Sequence, residues 1–181
     1  MAWPSRLADG IDRGNRLLGH VAAWSLLALI VLQFLIVIIV YVFRADEIGF
    51  AVVSIDMVQV QEALLYLNAF LFLGGVGATL AQDSHVRVDI FYRPASAREK
   101  AETDAVGTVV FLIPFCGLVW WAAVPFVQAS WRVLEASIDS GGLPLVYILK
   151  SLILLFALSL SCQALSLLIR SLARLRRPDA P

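Results

Sequence analysis

The side chains best suited to chemistry are concentrated in one short segment, where acidic, basic and imidazole groups alternate with apolar residues. The segment reads Asp83-Ser84-His85-Val86-Arg87-Val88-Asp89-Ile90-Phe91-Tyr92-Arg93. In a helix, Asp83 and Arg87 form an i,i+4 pair with the acid first, which is the favoured orientation. Asp89 and Arg93 repeat that spacing, and His85 shares a helix face with Asp89. The candidate chemistry is therefore metal ligation, proton transfer or ion pairing.

A catalytic or metal role for this segment is poorly supported by the rest of the chain. Metal sites normally need three or four ligands, and one histidine beside one aspartate is too few. Haem ligation needs paired histidines at membrane depth, whereas His20 lies far away in the sequence. Cys116 and Cys162 occur singly inside apolar stretches and are expected to be small buried hydrophobic residues. We therefore predict no catalytic residue, cofactor or metal site, and interpret the segment as a charge ladder that lets a helix leave the bilayer.

Four long apolar stretches surround this segment in the sequence and determine where it lies in the fold. None of them contains a charged residue. They cover residues 17–43, 63–82, 105–131 and 151–169 of a 181-residue chain that is 60% hydrophobic. About 20 residues of helix cross a bilayer core, and these stretches lack the alternation of barrel strands. The sequence predicts an all-α integral membrane protein, with four transmembrane helices in a single membrane domain over residues 1–181. Carriers usually keep ionisable groups at mid-membrane, so the charge-free spans favour an auxiliary subunit over a complete transporter.

The basic residues predict the orientation of the chain. Eleven of the fourteen Lys and Arg residues fall in the N-terminal segment, the second loop and the C-terminal tail, and three fall in the first and third loops. Because Lys and Arg concentrate on the cytoplasmic side, both termini and the second loop are predicted to be cytoplasmic. The basic residues flank membrane ends and form no single large patch, so nucleic-acid binding is not indicated.

Two segments that precede the first and second spans mix charged and apolar residues. Residues 3–19 are either a short helix on the inner membrane surface or a partly ordered tail. Residues 44–62 are too charged to span and too apolar to be a free loop, which predicts an interfacial amphipathic segment at the outer surface. Inside span one, Gln33 carries an amide that needs a partner either within the bundle or on another subunit.

Small residues on span two predict a close contact with another helix. Gly74 and Ala78 are four residues apart, as are Gly77 and Ala81. Pairs of small residues at this spacing let a second helix approach closely in a membrane.

Spans three and four carry further positional signals. Pro114 and Pro125 are predicted to kink span three or mark its ends. Lys150, close to the start of span four, can extend its ammonium to the interface and pair with Glu135 or Asp139. Aromatic residues toward the outer end of span three are expected to anchor it at the interface: Trp120, Trp121 and Trp131.

Several of these features occur together in one known family. Glu62 opens span two, Leu73-Gly74 lies within it, and His85-Val86-Arg87-Val88-Asp89 with Tyr92 follows it. This order and spacing resemble the small membrane subunit of TRAP transporters, the DctQ-like family. The resemblance covers nearly the whole chain, although Arg93-Pro94-Ala95-Ser96 departs from the Arg-Leu-Ser-like run that the family often has. The further similarities are Glu135, Leu143-Pro144, Lys150 and Gln163.

The resemblance implies a fixed scaffold subunit in a tripartite importer of a bacterial inner membrane. In such an importer a periplasmic protein captures an organic acid, and a large multi-span subunit carries it by an elevator-like motion coupled to sodium or protons. The expected partners are these two proteins and the lipid bilayer, and any coupling Na+ is expected in the large subunit. The residues expected in the family motif or at the subunit interface are Glu62, Gly74, Gly77, Ala78, His85, Arg87, Asp89, Tyr92, Lys150 and Gln163.

Three other functions have less support from the residues. An independent four-helix transporter would need a mid-membrane carboxylate. A membrane-anchor subunit of a respiratory enzyme would need membrane-depth histidines or a quinone pocket. A membrane enzyme would need a nucleophile–base pair or a metal cluster. The sequence therefore favours the auxiliary transporter subunit.

Overall fold

The computed structural model describes residues 2–42, 47–50, 53–82, 92 and 94–176. The helices and strands of this part follow in chain order. They are α1 (Ala2–Val37), which continues as a π-helical turn at Ile38–Val42, β1 (Glu47–Phe50), β2 (Val53–Asp56), α2 (Met57–Ala81), α3 (Ala97–Gly107), a second π-helical turn at Thr108–Leu112, α4 (Ile113–Arg132) and α5 (Val146–Leu175).

Four continuous helices are long and apolar enough to cross a membrane. They are Ser5–Val42, Met57–Ala81, Ala97–Arg132 and Val146–Leu175. The prediction of four transmembrane helices is confirmed, and each helix satisfies its own backbone, as lipid requires. The segment 3–19, predicted as a surface helix or a tail, is instead the first half of α1 and runs without a break into the apolar stretch.

A short β-hairpin leads into the second transmembrane helix. Strands β1 and β2 pair antiparallel, with Glu47 opposite Asp56. Asp56 then caps α2, because its carboxylate accepts a hydrogen bond from the Val58 N–H at 3.0 Å. The predicted amphipathic segment 44–62 is thus, where it is described, a hairpin followed by the first turns of α2. Hydrophobic pattern alone left its secondary structure open.

The third transmembrane helix begins with a capping box. The Ser96 hydroxyl accepts from the Glu99 N–H at 3.3 Å, and the Glu99 carboxylate accepts from the Ser96 N–H at 2.7 Å. The helix continues to Arg132 through both prolines. Pro114 lacks an N–H and directly follows the π-helical turn, a place where irregular helix geometry is common.

Helix α5 lies at the centre of the bundle and contacts α1, α2, α3 and α4. Helices α1 and α5 run antiparallel, since Ala8 lies beside Ser166 and Asn15 lies beside Ser159. Helix α4 is also antiparallel to α5. This arrangement brings the polar residues of α1 and α5 together at the end of the bundle that holds both termini.

Candidate functional site

The small-residue face of α2 is packed against α1 of the same chain. Gly74, Gly77 and Ala78 are buried. A Cβ atom added at Gly74 would lie 3.5 Å from the Ala22 Cβ, and one added at Gly77 would lie 2.8 Å from the Asn15 side chain. The sequence predicted a close helix contact on this face and assigned it to another subunit. Within this chain the first helix occupies the face, and the expected place of these residues at a subunit interface stays a prediction.

A buried polar network joins α1 to α5. Gln163, whose exposed fraction is 1%, donates from Nε2 to Asp12 Oδ1 at 3.0 Å and accepts at Oε1 from Asn15 Nδ2 at 2.8 Å. Asn15 also donates to the Ser159 carbonyl at 3.1 Å. Both amides are therefore hydrogen-bonded across the helix interface, as is usual for buried polar side chains.

Arg170 and Ser166 complete the network around the Asp12 carboxylate. The Ser166 hydroxyl donates to Asp12 Oδ1 at 2.6 Å, and the Arg170 guanidinium donates to Asp12 Oδ2 at 2.6 Å. Arg170 also reaches the exposed Asp9 at 2.8 Å. A buried carboxylate is tolerated only when it is paired and hydrogen-bonded, and both conditions hold here. We call Asp12, Asn15, Gln163, Ser166 and Arg170 the polar brace.

The sequence prediction included one member of the polar brace, Gln163, and missed the others. Asp12 and Asn15 lie outside the predicted span one, in the segment 3–19 that was expected to be a helix on the membrane surface or a partly ordered tail. Two spacings in the sequence could have indicated that these polar residues lie on common helix faces. Asp12 and Asn15 are three residues apart, as are Gln163 and Ser166, so each pair shares a helix face.

A second anchor ties the third loop, residues 133–145 between α4 and α5, to the beginning of α2. The Glu62 carboxylate accepts hydrogen bonds from the Ser137 hydroxyl and from the Leu143 N–H, the latter at 2.6 Å. Gly142 lies so close that an added Cβ would meet Glu62 Oε1 at 2.6 Å. Gly141 has a φ of +82°, a conformation that glycine adopts without strain. We call Glu62, Ser137 and Leu143 the loop anchor.

Lys150 pairs with Glu135, one of the two acidic residues that were predicted as its partners. Its Nζ lies 2.5 Å from Glu135 Oε2 and 4.3 Å from the centroid of the Phe126 ring. The hydrogen bond from Lys150 lowers the pKa of the Glu135 carboxyl from its ordinary value. The ion pair joins the third loop, just after the end of α4, to the start of α5.

Two tryptophans of α4 are tied to α5 as well. Trp131 Nε1 donates to the Ser151 hydroxyl at 2.8 Å, and Trp120 Nε1 donates to the Ser161 hydroxyl at 3.1 Å. Trp121 is exposed, as expected of an interfacial anchor. Trp120 and Trp131 therefore have a helix-packing role that the aromatic-belt interpretation did not include.

The family-motif residues after span two are described only at Tyr92. Its hydroxyl donates to the Asp104 carboxylate at 3.1 Å and 3.2 Å, and Lys100 Nζ lies 5.5 Å from its ring centroid. The predictions for His85, Arg87 and Asp89 fall outside the described residues. In the described part of the chain, no three His, Cys, Asp or Glu side chains are arranged to hold a metal ion.

These helices and their polar contacts define a multi-pass membrane protein. The family profile described as "Tripartite ATP-independent periplasmic transporters, DctQ component" matches residues 48–174. The chain therefore belongs to this family, which confirms the resemblance drawn from the motifs, and the family is a transporter component rather than an enzyme family. No curated protein and no solved structure matches the chain.

Proposed function

We propose that this chain is the scaffold subunit of a tripartite, ion-coupled importer of organic acids in a bacterial inner membrane. It supports a large elevator-type subunit that binds the substrate and the coupling ion, expected to be Na+, and a periplasmic protein delivers the substrate. The positive-inside distribution supports cytoplasmic termini. Family membership supports the tripartite assembly.

The observation that carries the scaffold role is the hydrogen bonding of Asp12, Asn15 and Gln163 to one another and to their neighbours inside the polar brace. Asp12 accepts from Gln163, Ser166 and Arg170, and Gln163 also accepts from Asn15. A transport pathway needs polar groups that can exchange partners with an ion or a substrate. Here the buried carboxylate and both amides serve to hold helices to one another, which suits a subunit that stays rigid.

A scaffold also benefits from being fixed at both ends of its helices. The polar brace joins α1 to α5 at the end with the termini, and the loop anchor joins α2 to the third loop at the other end. The Lys150–Glu135 pair adds a contact between α4 and α5 near that same loop. Such cross-links resist relative tilting of the helices while another subunit slides past them.

The test is affinity purification of the tagged chain from its native membrane in mild detergent, followed by uptake assays in liposomes. We expect a stoichiometric large multi-span partner, and uptake only when that partner and a periplasmic binding protein are present. A lone homo-oligomer that transports a solute by itself would overturn the proposal. A haem spectrum in the purified sample would instead indicate a respiratory anchor.

A further inference from the structure

We propose that the exposed face of α2, together with the adjoining part of α1, is the docking surface for a transmembrane helix of the large partner subunit. That helix would carry a hydrogen-bonding side chain, an amide or a hydroxyl, opposite Asn68. The inference rests on the proposed function and specifies which surface of this chain the partner occupies.

The exposed face of α2 differs in chemistry from a lipid-facing surface. Gln61, Leu65, Asn68, Phe72 and Thr79 are all exposed, and their spacings of four, three, four and seven residues place them on one helix stripe. A surface made only for lipid would be uniformly apolar. The buried small residues of α2 lie on the remaining surface, against α1, so the stripe is left for a partner.

The stripe continues into a groove between α1 and α2 with a volume of about 460 Å³. Three amide side chains line this groove among apolar walls. We call it the amide groove; its amides are Gln33, Gln61 and Asn68. Gln33 and Asn68 lie in the charge-free stretches 17–43 and 63–82.

The two buried amides of the bundle are treated differently. Asn15 and Gln163 are hydrogen-bonded to each other and to neighbouring groups. Among the described residues, no hydrogen bond reaches the side chain of Gln33 or Asn68. Lipid tails offer neither donor nor acceptor, so an amide in hydrocarbon is stabilised by a partner helix that does. This identifies a protein helix as the occupant in preference to acyl chains.

The local shape also suits a helix. Gly75 lies on the same side of α2 as the stripe, and apart from its own helix turn no atom of the described residues lies within 4 Å of a Cβ added there. Small residues of this kind let two backbones come close in a membrane. The neighbouring Phe72 and Leu65 supply apolar contact area around the amides.

Photo-crosslinking within the co-expressed complex tests the proposal, and the chain offers a matched control. Phe72 and Phe111 are 72% and 73% exposed, but Phe111 lies in the helix that packs mainly on α5. Each is replaced in turn by benzoylphenylalanine. We expect a covalent adduct with the large subunit from position 72 and none from position 111.

Three outcomes would overturn the docking surface while leaving the scaffold role intact, provided that the large subunit co-purifies. They are an adduct from position 111 alone, an adduct between two copies of this chain from position 72, and no protein adduct from position 72. If no large subunit co-purifies with the unmodified chain, it is the proposed function that fails.

Substitution of the amides gives a second readout. Asn68→Leu and Gln33→Leu should each weaken retention of the large subunit in detergent by about 3- to 20-fold, the range for an interhelical hydrogen bond in a membrane. Asn68→Gln should retain most of the binding. The purified variants should unfold like the parent chain, because these amides make no hydrogen bond within the described part of the chain. Unchanged retention in both Leu variants would contradict the proposal.

Discussion

Replacement of Gln163 by leucine tests whether the polar brace stabilises the bundle. Gln163→Leu removes the donor to Asp12 at 3.0 Å and the acceptor for Asn15 at 2.8 Å, while keeping a side chain of similar size. A hydrogen bond to a charged group contributes about 1.5–3 kcal/mol and a neutral one about 0.5–1.5 kcal/mol. The leucine recovers part of this by apolar packing, and Asp12 keeps Ser166 and Arg170. We expect the free energy of unfolding to fall by about 2 kcal/mol.

The assay is reversible unfolding in mixed micelles with increasing SDS, followed by far-ultraviolet circular dichroism. Gln128→Leu is the matched control, because Gln128 is an exposed amide on α4 and its replacement should leave the midpoint unchanged. An equal midpoint for Gln163→Leu and the parent chain would refute the reasoning that the buried network holds α1 to α5.

Three further predictions concern the helix crossing, the loop anchor and the ion pair. Gly77→Leu should lower unfolding stability by about 1–3 kcal/mol through overpacking against α1, whereas Gly75→Leu, with open space around it, should not; SDS unfolding compares them. Glu62→Gln replaces one of the two carboxylate oxygens that accept hydrogen bonds from the third loop by an amide nitrogen. Protease should then cleave the third loop faster than in the parent chain, and an equal cleavage rate would contradict the role of the loop anchor. Lys150 lowers the pKa of the Glu135 carboxyl in the folded protein. The ion pair therefore contributes fully to folding stability above pH 4.5, the ordinary pKa of the carboxyl, and this contribution is lost as the pH falls through the lower pKa of the folded state. The difference in melting temperature between the parent and Glu135→Gln should therefore shrink steadily as the pH is lowered below 4.5, and a constant difference would argue against the pair.

Hydropathy predicted the fold well because lipid imposes a simple rule on sequence. A charge-free run of about 20 residues has few alternatives to a transmembrane helix. Contacts between residues close together in the sequence were also predictable, as with the pairing of Lys150 with an acid of the preceding loop, and so was the close-packing face formed by the small residues of α2. These features depend on spacing along the chain, which the sequence displays directly.

Contacts between elements that are far apart in the sequence were harder to predict from it. Asp12 lies before the apolar run, and its burial depends on α5, which is about 150 residues away in the sequence. The partner of the small-residue face could not be predicted either, because the same spacing serves contacts within a chain and between subunits. The hairpin at β1 and β2 was missed because its mixed composition fits several interfacial structures.

The unbroken first helix makes membrane thickness a structural variable for this protein. Its 38 residues from Ser5 to Val42 correspond to about 57 Å at 1.5 Å per residue, against a full bilayer of about 40–45 Å. To stay within that slab the helix must lean by about 40°, or one end must emerge into water. Because the polar brace fixes α1 to α5, any change in lean is transmitted to the centre of the bundle. Where α1 leans instead of emerging, the thickness of the surrounding bilayer thus contributes to the angle at which the bundle presents its surfaces to its neighbours.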